Sequence, residues 1–354
     1  MYAGNDWLEG KYKGDVWGDA VTNSIEYDTR EAWVFLRPYG AVDIKLGRQV
    51  LTWGTGELVF LNDLFPKDWQ SFFIGRDAEY LKAPSDAVKI SLFSSLANVD
   101  VVYTPRFDAD RYITGRYVSH WDGSLGSLTG RNANASTDRP DRWWRDDELA
   151  LRIYGNIGGS EYAFYGYRGF WKSPAGQTSA GTKRFPALDV YGASVRGAVT
   201  GGISNAEIAW YRSREDQSGR DPAVRNSELR YLLGYAREIG RDLTASLQYY
   251  VEHMLHHARY RSGVSDSEAG DQFRHVVTLQ CTKLLMDQNL ELSLSAYLSP
   301  SDRDAYLRPL ARYKYSDHLT MSLGANIFVG DCHHTFFAQF EKNTNIYLAI
   351  RHSF

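Results

Sequence analysis

The sequence has few cysteines, no long apolar run and little net charge. Each of these absences excludes a class of protein. Its two cysteines, Cys281 and Cys332, are too few for a disulfide framework. They are predicted to be unpaired, because they fall on different predicted hairpins. No run of about eighteen or more apolar residues occurs, which excludes a transmembrane helix. The formal net charge of −3 argues against a nucleic-acid partner, which would require a large basic patch.

Polar and apolar residues alternate along most of the 354-residue chain. From 318 to 329, for example, Leu319 and Met321 fall on one face of an extended segment and Thr320 and Ser322 on the other. This period of two predicts strands whose two faces meet different surroundings. About sixteen such segments occur, and an even number is typical of a transmembrane β-barrel. They are 8–20, 29–37, 41–50, 86–94, 97–105, 147–155, 159–171, 186–198, 202–213, 225–237, 242–255, 271–285, 289–299, 304–315, 318–329 and the closing stretch NTNIYLAIRHSF.

The predicted connections are tight at one end of the strands and longer at the other. Turns such as RPYG at 37–40 alternate with longer connections, with PSDRD at 300–304 as an exception. Two connections are very long, 51–85 and 106–146. This asymmetry predicts one antiparallel barrel domain, 1–354, with short turns at one end and long loops at the other.

The second face of these strands carries charged residues from one end of the chain to the other. A face this polar cannot be a dry core, because burying unpaired charges is too costly. It is therefore predicted to line a water-filled lumen, and the apolar face to meet lipid. The strand positions that are candidates to line the pore are Asp43, Lys45, Lys89, Asp100, Arg152, Arg230, Glu252, Arg308, Arg312 and Arg351.

Aromatic residues are abundant, with 24 Tyr, 16 Phe and 10 Trp. Many Tyr and Trp lie toward the ends of predicted strands, which favours girdles at two membrane interfaces. The alternative is that aromatic residues favour strands of any kind.

The closing stretch alternates like the other segments and ends on Phe354. A final alternating strand with a terminal Phe resembles the signature of Gram-negative outer-membrane β-barrel proteins, whose assembly machinery reads that strand. The resemblance implies a bacterial outer-membrane location, periplasmic short turns, extracellular long loops and Phe354 as the assembly signal. It implies outer-membrane lipid, lipopolysaccharide and the barrel assembly machinery as partners. We expect closure of the barrel to hold the last strand against the first.

The amino-terminal stretch MYAGNDWLEG has neither the charged nor the apolar region of a signal peptide. For an exported protein, we therefore expect the signal peptide to have been removed. Met1 would then not belong to the mature chain.

The segment LGRQVLTWGTGE at 46–57 resembles a Gly-Arg-Gln, then Trp-Gly pattern of porin-like outer-membrane families, including the alginate-export type. The chain has fewer predicted strands than the alginate exporter and lacks a strongly basic lumen pattern. Strict alternation would turn Arg48 toward lipid, which costs about 2 to 4 kcal/mol at mid-bilayer. We therefore expect a bulge at Gly47 that turns Arg48 into the lumen, or a position of Arg48 at the outer rim.

Both long loops are predicted to fold into or over the pore. In sixteen-stranded porins the third loop folds inward and narrows the pore, so the likeness implies this role for 106–146. Its charges would filter permeants by charge and size, and the alternative is a solvated outer loop. Loop 51–85 competes for the role, because its apolar content is too high for a freely solvated loop. The candidate constriction residues of 106–146 are Arg106, Asp108, Asp110, Arg111, Arg116 and Asp122.

Metal binding, cofactors and catalysis receive no support from the sequence. His333 and His334 occur together, but the other histidines lie on separate strands without a fixed short spacing. Ser353 and His352 would point to opposite faces of one strand, and no G-x-S-x-G element occurs. Histidines at the rim of a barrel, in water, are the simpler interpretation.

The sequence therefore predicts an outer-membrane channel, a porin, for passive diffusion of small hydrophilic solutes or ions. Its mixed lumen charge predicts weak ion selectivity. Two alternatives stay open. One is a specialised conduit, such as a polysaccharide exporter or a barrel sheathing a partner protein, and the other is a closed barrel acting as a receptor or adhesin through its loops. Porin families often form trimers, so the likeness suggests a homotrimer.

Overall fold

The alternating segments form sixteen strands, each of which pairs with the next along the chain. The computed structural model describes residues 2–4, 7–123, 125–132, 136–265 and 269–354, with side chains described from residue 7 onward. All pairings between consecutive strands are antiparallel. The strands are β1 (Leu8–Asp19), β2 (Ser24–Tyr39), β3 (Val42–Val50), β4 (Pro84–Leu92), β5 (Asn98–Thr104), β6 (Glu148–Ile157), β7 (Ser160–Phe170), β8 (Ala187–Val199), β9 (Gly202–Ser213), β10 (Glu228–Gly240), β11 (Leu243–Met254), β12 (Phe273–Leu285), β13 (Leu290–Ser299), β14 (Asp304–Lys314), β15 (Leu319–Gly330) and β16 (Asn345–His352).

The predicted all-β antiparallel barrel with about sixteen strands is confirmed. The largest difference in strand bounds is at the start of β2, which begins at Ser24 and not at 29. A bulge explains the difference, since Lys13 pairs with Glu31 and Gly14 with Thr29, which leaves the residue between them unpaired. The extra residue interrupts the alternation of polar and apolar side chains, so the sequence pattern does not reveal the residues of the strand that precede it.

The two edges of the sheet meet different segments. A short strand, Tyr2–Gly4, pairs with β1, and β16 pairs with β15. Within the described ranges no ladder joins β16 to β1, although we expected the first strand to hold the last. The loop before β4 contacts both edges from inside: Asp77 lies 3.6 Å from Arg351 of β16, and Glu79 lies 3.2 Å from Lys13 of β1.

Outward and inward side chains differ as the alternation predicts. Outward residues such as Ile208, Leu323 and Leu348 are apolar and 45%, 54% and 70% exposed. Inward residues are polar near the short turns. Toward the long loops they become apolar and buried, as at Val190 and Leu232. The inward face thus has a polar part and a packed part.

The remaining elements lie in the connections. The helix Trp69–Phe73 begins after Asp68, whose carboxylate accepts a hydrogen bond from the Ser71 N–H at 2.8 Å. No helix in the described part of the chain is long and apolar enough to cross a membrane. The other elements are the 3-10 helices Ala78–Leu81 and Ala338–Asn343, the helix His257–Arg261 and the short strands His120–Asp122, Ser127–Thr129, Thr137–Asp138, Gly176–Gln177 and Lys183–Arg184.

Candidate pore constriction

The connection 51–83, called here the apolar loop, packs inside the barrel. Its side chains Leu61, Phe65 and Phe73 are 1%, 5% and 2% exposed. They join inward side chains of the wall in two buried clusters. The wall residues of these clusters include Tyr165, Tyr167, Leu188, Val190, Tyr211, Leu232, Tyr250, Val276, Tyr297, Tyr306 and Phe328. Part of the inward face that we predicted to line water is therefore a packed core.

One carboxylate, that of Glu207 on β9, fastens the apolar loop to the wall. It accepts hydrogen bonds from the Thr55 hydroxyl at 2.8 Å, the Gly56 N–H at 2.9 Å and the Asn62 side-chain amide at 2.7 Å. The backbone N–H groups of Thr55 and Asn62 also donate to it. Glu207 is buried, so its charge is stabilised by these donors and not by water.

The wall beside Asn62 requires a glycine. An ideal Cβ on Gly192 of β8 would lie 1.8 Å from Oδ1 of Asn62, which is itself fully buried. A side chain at this position would push Asn62 away from the wall. Tyr211 adds a second anchor nearby, because its hydroxyl donates to the Leu61 carbonyl at 2.5 Å.

The connection 105–147, called here the charged loop, is held by ion pairs as well as by buried side chains such as Phe107 and Val118. Arg111 contacts Asp28 of β2 at 2.7 Å, and Arg116 contacts Glu26 of the same strand at 2.7 Å. Each guanidinium also reaches a second carboxylate, at 3.3 and 3.2 Å. These contacts place both arginines against the wall and within the mouth of the barrel.

Asp110 joins the charged loop to the apolar loop. Its carboxylate accepts hydrogen bonds from the Lys67 N–H at 2.7 Å, the Trp69 indole at 3.1 Å and the Ser173 hydroxyl at 2.7 Å. Two other predicted constriction residues have different partners. Arg106 lies over the ring of Trp143, and Asp108 accepts a hydrogen bond from a backbone N–H of β4.

The short hairpin in the charged loop carries a buried histidine. Nε2 of His120 lies 3.4 Å from Nζ of Lys183, which also forms an ion pair with Asp122 at 3.3 Å. Burial, followed by the positive charge of Lys183, lowers the pKa of His120 below its usual value. The hairpin is therefore built around a neutral imidazole.

A cavity of about 870 Å³ lies between the two loops and the wall formed by β10, β11 and β12. Three arginines and three carboxylates line its wall side and contact one another. Arg230 lies 2.8 Å from Glu228, and Arg274 lies 2.6 Å from Asp302. Glu252 is central, because three arginines approach it at 3.4 to 3.8 Å. The members of this charge network are Arg225, Glu228, Arg230, Glu252, Arg274 and Asp302.

Aromatic rings support the charge network from behind. Trp171 and Tyr211 stack with centroids 5.6 Å apart, and the Arg230 guanidinium lies 3.8 Å from the Tyr211 centroid. Such a contact stabilises an arginine that has lost part of its water. The sequence predicted Arg230 and Glu252 as pore-lining but missed the other four members. Charged inward positions at the long-loop ends of adjacent strands are the signal that would have found them.

Nearer the short turns, the lumen carries paired charges. Lys89 contacts Asp100 at 3.2 Å, and Arg152 contacts Glu161 at 2.6 Å. The ammonium of Lys45 lies 4.1 Å from the ring centroid of Trp33. The pore-lining candidates on inward positions in this part are Asp43, Lys45, Lys89, Asp100, Arg152, Arg308, Arg312 and Arg351.

Arg308 differs from its neighbours on β14. Arg312 contacts Glu291 at 3.2 Å and Asp77 at 3.3 Å, whereas Arg308 forms no ion pair with any described residue. Its guanidinium lies 4.4 Å from the ring centroid of Phe72, and its Nε is buried without a hydrogen-bond partner. Arg308 is therefore an inward cation without a compensating carboxylate.

The structure places Arg48 on the outward face of β3. The ladders through Gly47 are regular on both sides and pair Arg48 with Ala32 and Asp86, so the predicted bulge at Gly47 is wrong. Gly47 has a φ of 113°, and an ideal Cβ on it would lie 2.4 Å from the Ala32 carbonyl oxygen. A close approach between strands, and not a bulge, requires this glycine.

Three smaller predictions concern the cysteines, the histidines and the last residue. Cys281 and Cys332 are both free, as predicted. In the ranges that the structure describes, no three His, Cys, Asp or Glu side chains come together as metal ligands would. Phe354 is exposed beside His352, with ring centroids 4.9 Å apart.

Comparisons with known proteins bear on the fold. No family model matches the chain, and no curated protein matches its sequence. The solved structure of OccD3 (OpdP) from Pseudomonas aeruginosa is similar over 94% of this chain and 79% of that chain, with a TM-score of 0.51 and 10% identity. The chain has a porin-type barrel fold. At this identity the likeness carries no substrate and no residue role to the present chain.

Two further structures are similar but superpose more loosely. A triple mutant of the Rhodopseudomonas blastica porin covers 100% of both chains, with a TM-score of 0.45 and 13% identity. A loop-deletion mutant of OmpT, an outer membrane protein of Vibrio cholerae, matches 99% of this chain and 87% of its own, with a TM-score of 0.42 and 12% identity. Likenesses this loose add nothing to the assignment of the fold.

Proposed function

We propose that the protein is a passive channel of the bacterial outer membrane for small hydrophilic solutes and ions. The inward face carries the proposal. Paired charges near the short turns lead to the cavity of about 870 Å³ and its charge network. Charged side chains in such number are stable on a wall that meets water. The outward apolar face suits a bilayer. Catalysis forms no part of this function.

In this proposal the apolar loop and the charge network narrow the lumen together. The apolar loop fills part of the cross-section of the lumen. The charge network lines the side that the loop leaves open and offers hydrogen-bonding groups to permeants. Because its three arginines and three carboxylates compensate one another, the network itself selects weakly by charge. Arg308 lies deeper without a compensating carboxylate, so it should bias permeation toward anions.

The proposed setting implies further partners. Outer-membrane lipid and lipopolysaccharide would surround the apolar face, with the short turns in the periplasm. The barrel assembly machinery would read the last strand through Phe354, whose ring is free on the surface. A homotrimer is the proposed assembly, and nucleic acid is not a proposed partner.

Conductance in planar bilayers tests the channel. Wild-type protein should give steady ohmic steps, and Arg308→Met should lower the anion-to-cation permeability ratio measured from reversal potentials in a salt gradient. The matched control is Arg212→Met, which removes the same charge from the outward end of β9 and should leave the ratio unchanged. A wild-type barrel that reconstitutes but never conducts would contradict the proposal.

The packing of the apolar loop favours a second candidate, a closed barrel that acts as a receptor, an adhesin or a sheath. The loop buries Leu61, Phe65 and Phe73 in the lumen, as a plug would. In that case the wild type is silent in bilayers, and deletion of 56–73 produces large steady steps. An open wild-type channel would exclude it.

A further inference from the structure

The cavity between the apolar loop and the charge network has two unlike sides. One side consists mainly of apolar side chains, and the other is the charge network. Apolar atoms make up most of the lining. Ions and fully hydrophilic solutes gain nothing from an apolar wall, whereas ligand sites are mostly apolar with a few placed polar groups. The cavity therefore has the composition of a site for a solute with an apolar part. The apolar side includes Leu58, Phe60, Trp69, Phe72 and Phe337.

Two carboxylates of the charge network have acceptor capacity left. Oε1 of Glu252 accepts a hydrogen bond from the Tyr250 hydroxyl at 2.7 Å, but Oε2 accepts only a long one, from Arg274 at 3.4 Å. Oδ2 of Asp302 accepts from Arg274 and Ser299 at 2.6 and 3.0 Å, and no described group donates to its Oδ1. The two side chains are 18% and 19% exposed. Both can therefore accept hydrogen bonds from a cationic group in the cavity.

Arg225 offers the opposite charge to the cavity. Its Nε and Nη2 donate to Glu228 at 2.5 and 3.2 Å, whereas no described group accepts from its Nη1. Its side chain is 39% exposed, more than any other member of the network. The ring centroid of Trp171 lies 4.8 Å from the guanidinium and supports it. Arg225 can therefore donate to a carboxylate in the cavity.

These donors and acceptors lie next to one another. Nη2 of Arg225 is 3.6 Å from Glu252, and Glu252 leads through Arg274 to Asp302. A ligand with one charge would use only one sign of this compensated network. The two charges of an α-amino acid are carried next to each other, on and beside one carbon atom. An ammonium and a carboxylate so placed match the neighbouring unlike charges of the network.

An aromatic ring borders the network where the side chain of such a ligand would lie. The ring centroid of Phe336 is 5.1 Å from the Arg274 guanidinium, and the ring is 42% exposed. Asp304 fixes this part of the connection 331–344, because its carboxylate accepts hydrogen bonds from the Phe337 and Ala338 N–H groups at 2.7 and 3.3 Å. Apolar surface therefore begins directly beside the charged groups.

We propose that the cavity binds α-amino acids with a large apolar side chain, in their zwitterionic form. The ammonium group is bound by Glu252 and Asp302 and the carboxylate by Arg225, while the side chain packs against Phe336 and the apolar loop. An anion of the same shape binds less well, because the two carboxylates stay without a partner. The inference rests on the proposed function, since it names one class of solute that enters the channel.

Titration calorimetry of the purified, full-length protein in detergent tests the site with phenylalanine and three analogues. Phenylpropionate lacks the ammonium group, phenethylamine lacks the carboxylate, and glycine lacks the ring. We expect saturable binding of phenylalanine, at least about tenfold tighter than that of each analogue. An analogue that binds as tightly as phenylalanine overturns the proposal, and so does the absence of saturable phenylalanine binding.

A variant of one acceptor tests the assigned geometry. Asp302→Asn should weaken phenylalanine binding about tenfold and should not weaken phenylpropionate binding, because only phenylalanine carries the ammonium group. The matched control, Glu291→Gln, removes a lumen carboxylate nearer the short turns and should leave both affinities unchanged. Folding is followed by the faster electrophoretic migration of unheated barrels. Unchanged phenylalanine binding by folded Asp302→Asn overturns the proposal.

If Asp302→Asn fails to fold, Phe336→Ala provides a second test. This ring is exposed, so its loss should weaken phenylalanine binding without weakening glycine binding. Equal phenylalanine binding by the wild type and Phe336→Ala overturns the proposed position of the side chain. Bilayer recordings are made in parallel, and phenylalanine should reversibly lower the wild-type current. A silent barrel that binds phenylalanine contradicts the channel alone, and a conducting barrel that does not bind it contradicts this inference alone.

Discussion

The apolar loop and the charged loop enter the same end of the barrel and are held there in different ways. The apolar loop buries Leu61 and Phe65 against the wall and places five hydrogen-bond donors on Glu207. The charged loop reaches β2 through Arg111 and Arg116, whose side chains are 30% and 36% exposed. Burial thus holds the apolar loop, whereas partly solvated charge holds the part of the charged loop that contains Arg111 and Arg116.

This difference sets how each loop should respond to change. A buried acceptor that is lost leaves unsatisfied donors, which cost about 1 to 3 kcal/mol each. Half-exposed ion pairs contribute about 0.2 to 1 kcal/mol and weaken in salt. The apolar loop should therefore behave as a fixed part of the wall, and the charged loop as a part that solution conditions can shift.

Breaking the anchor of the apolar loop should have the largest effect. Glu207→Gln keeps the shape but turns its amide NH2 either toward the donors of Thr55 and Gly56 or toward those of Asn62, so docking should weaken by about 2 to 4 kcal/mol. Hydrogen exchange at 54–62 should accelerate strongly, and single-channel conductance should rise. Glu291→Gln is the control, because it removes a half-exposed lumen carboxylate and leaves the loop anchored. Equal exchange at 54–62 in both variants would contradict this role of Glu207.

A steric change in the wall should act on the same loop with a smaller effect. Gly192→Ala places a methyl group where Oδ1 of Asn62 now lies, and overpacking of this kind costs about 1 to 3 kcal/mol. We expect a rise in conductance that the double variant with Asn62→Ala reverses only in part, because the smaller side chain makes room but loses its amide donor to Glu207. Gly166→Ala is the control, since a Cβ there has only an ordinary contact at 3.9 Å.

The charged loop should respond to salt where the apolar loop does not. Arg116→Met should loosen the loop by about 0.2 to 1 kcal/mol at low ionic strength, measured by hydrogen exchange across 112–119. In about 1 M salt the wild type should approach the variant, because screening removes the same interaction. Exchange across 54–62 should stay constant in the same experiment. A salt response of equal size in both loops would contradict the claim that partly solvated ion pairs hold only the charged loop.

Acid should produce the smallest effect, again in the charged loop. The pKa of His120 is lowered in the docked loop, so the docked state binds a proton less readily than the free loop. Docking therefore has full strength above about pH 6.5 and weakens as the pH falls below that value. Gating recorded at pH 7.5 and pH 5 should differ in the wild type and much less in His120→Gln. A pH response that persists in His120→Gln would assign the effect to another group.

The strands of the barrel could be predicted from the sequence because the information is local. Alternation alone set Asp100 and Arg152 inward and Leu323 outward, residue by residue. The docking of the apolar loop could not be read this way, since Thr55 and Glu207 lie 152 positions apart. The apolar content of the loop predicted burial, but only the fold reveals the partner.

Arg48 shows where the sequence reasoning added too much. Alternation alone placed it outward, which is where it lies. The bulge at Gly47 was introduced to avoid the cost of an outward charge in lipid. The structure keeps the regular ladder, and Arg48 pairs with Asp86 at 3.1 Å and donates to the Thr29 carbonyl at 2.6 Å, partners that one sequence does not reveal.

A reversible tether of the apolar loop tests most directly whether solutes pass while the loop stays in the lumen. An ideal Cβ on Gly192 lies 2.9 Å from Cγ of Asn62, so cysteines at both positions are close enough for a disulfide. The double variant is made with Cys281→Ser and Cys332→Ser, and one channel is recorded before and after reduction. We predict steady conductance in the tethered state and a higher conductance after reduction, because the loop narrows the pore without closing it. Conductance that appears only after reduction would contradict the channel and establish the loop as a plug.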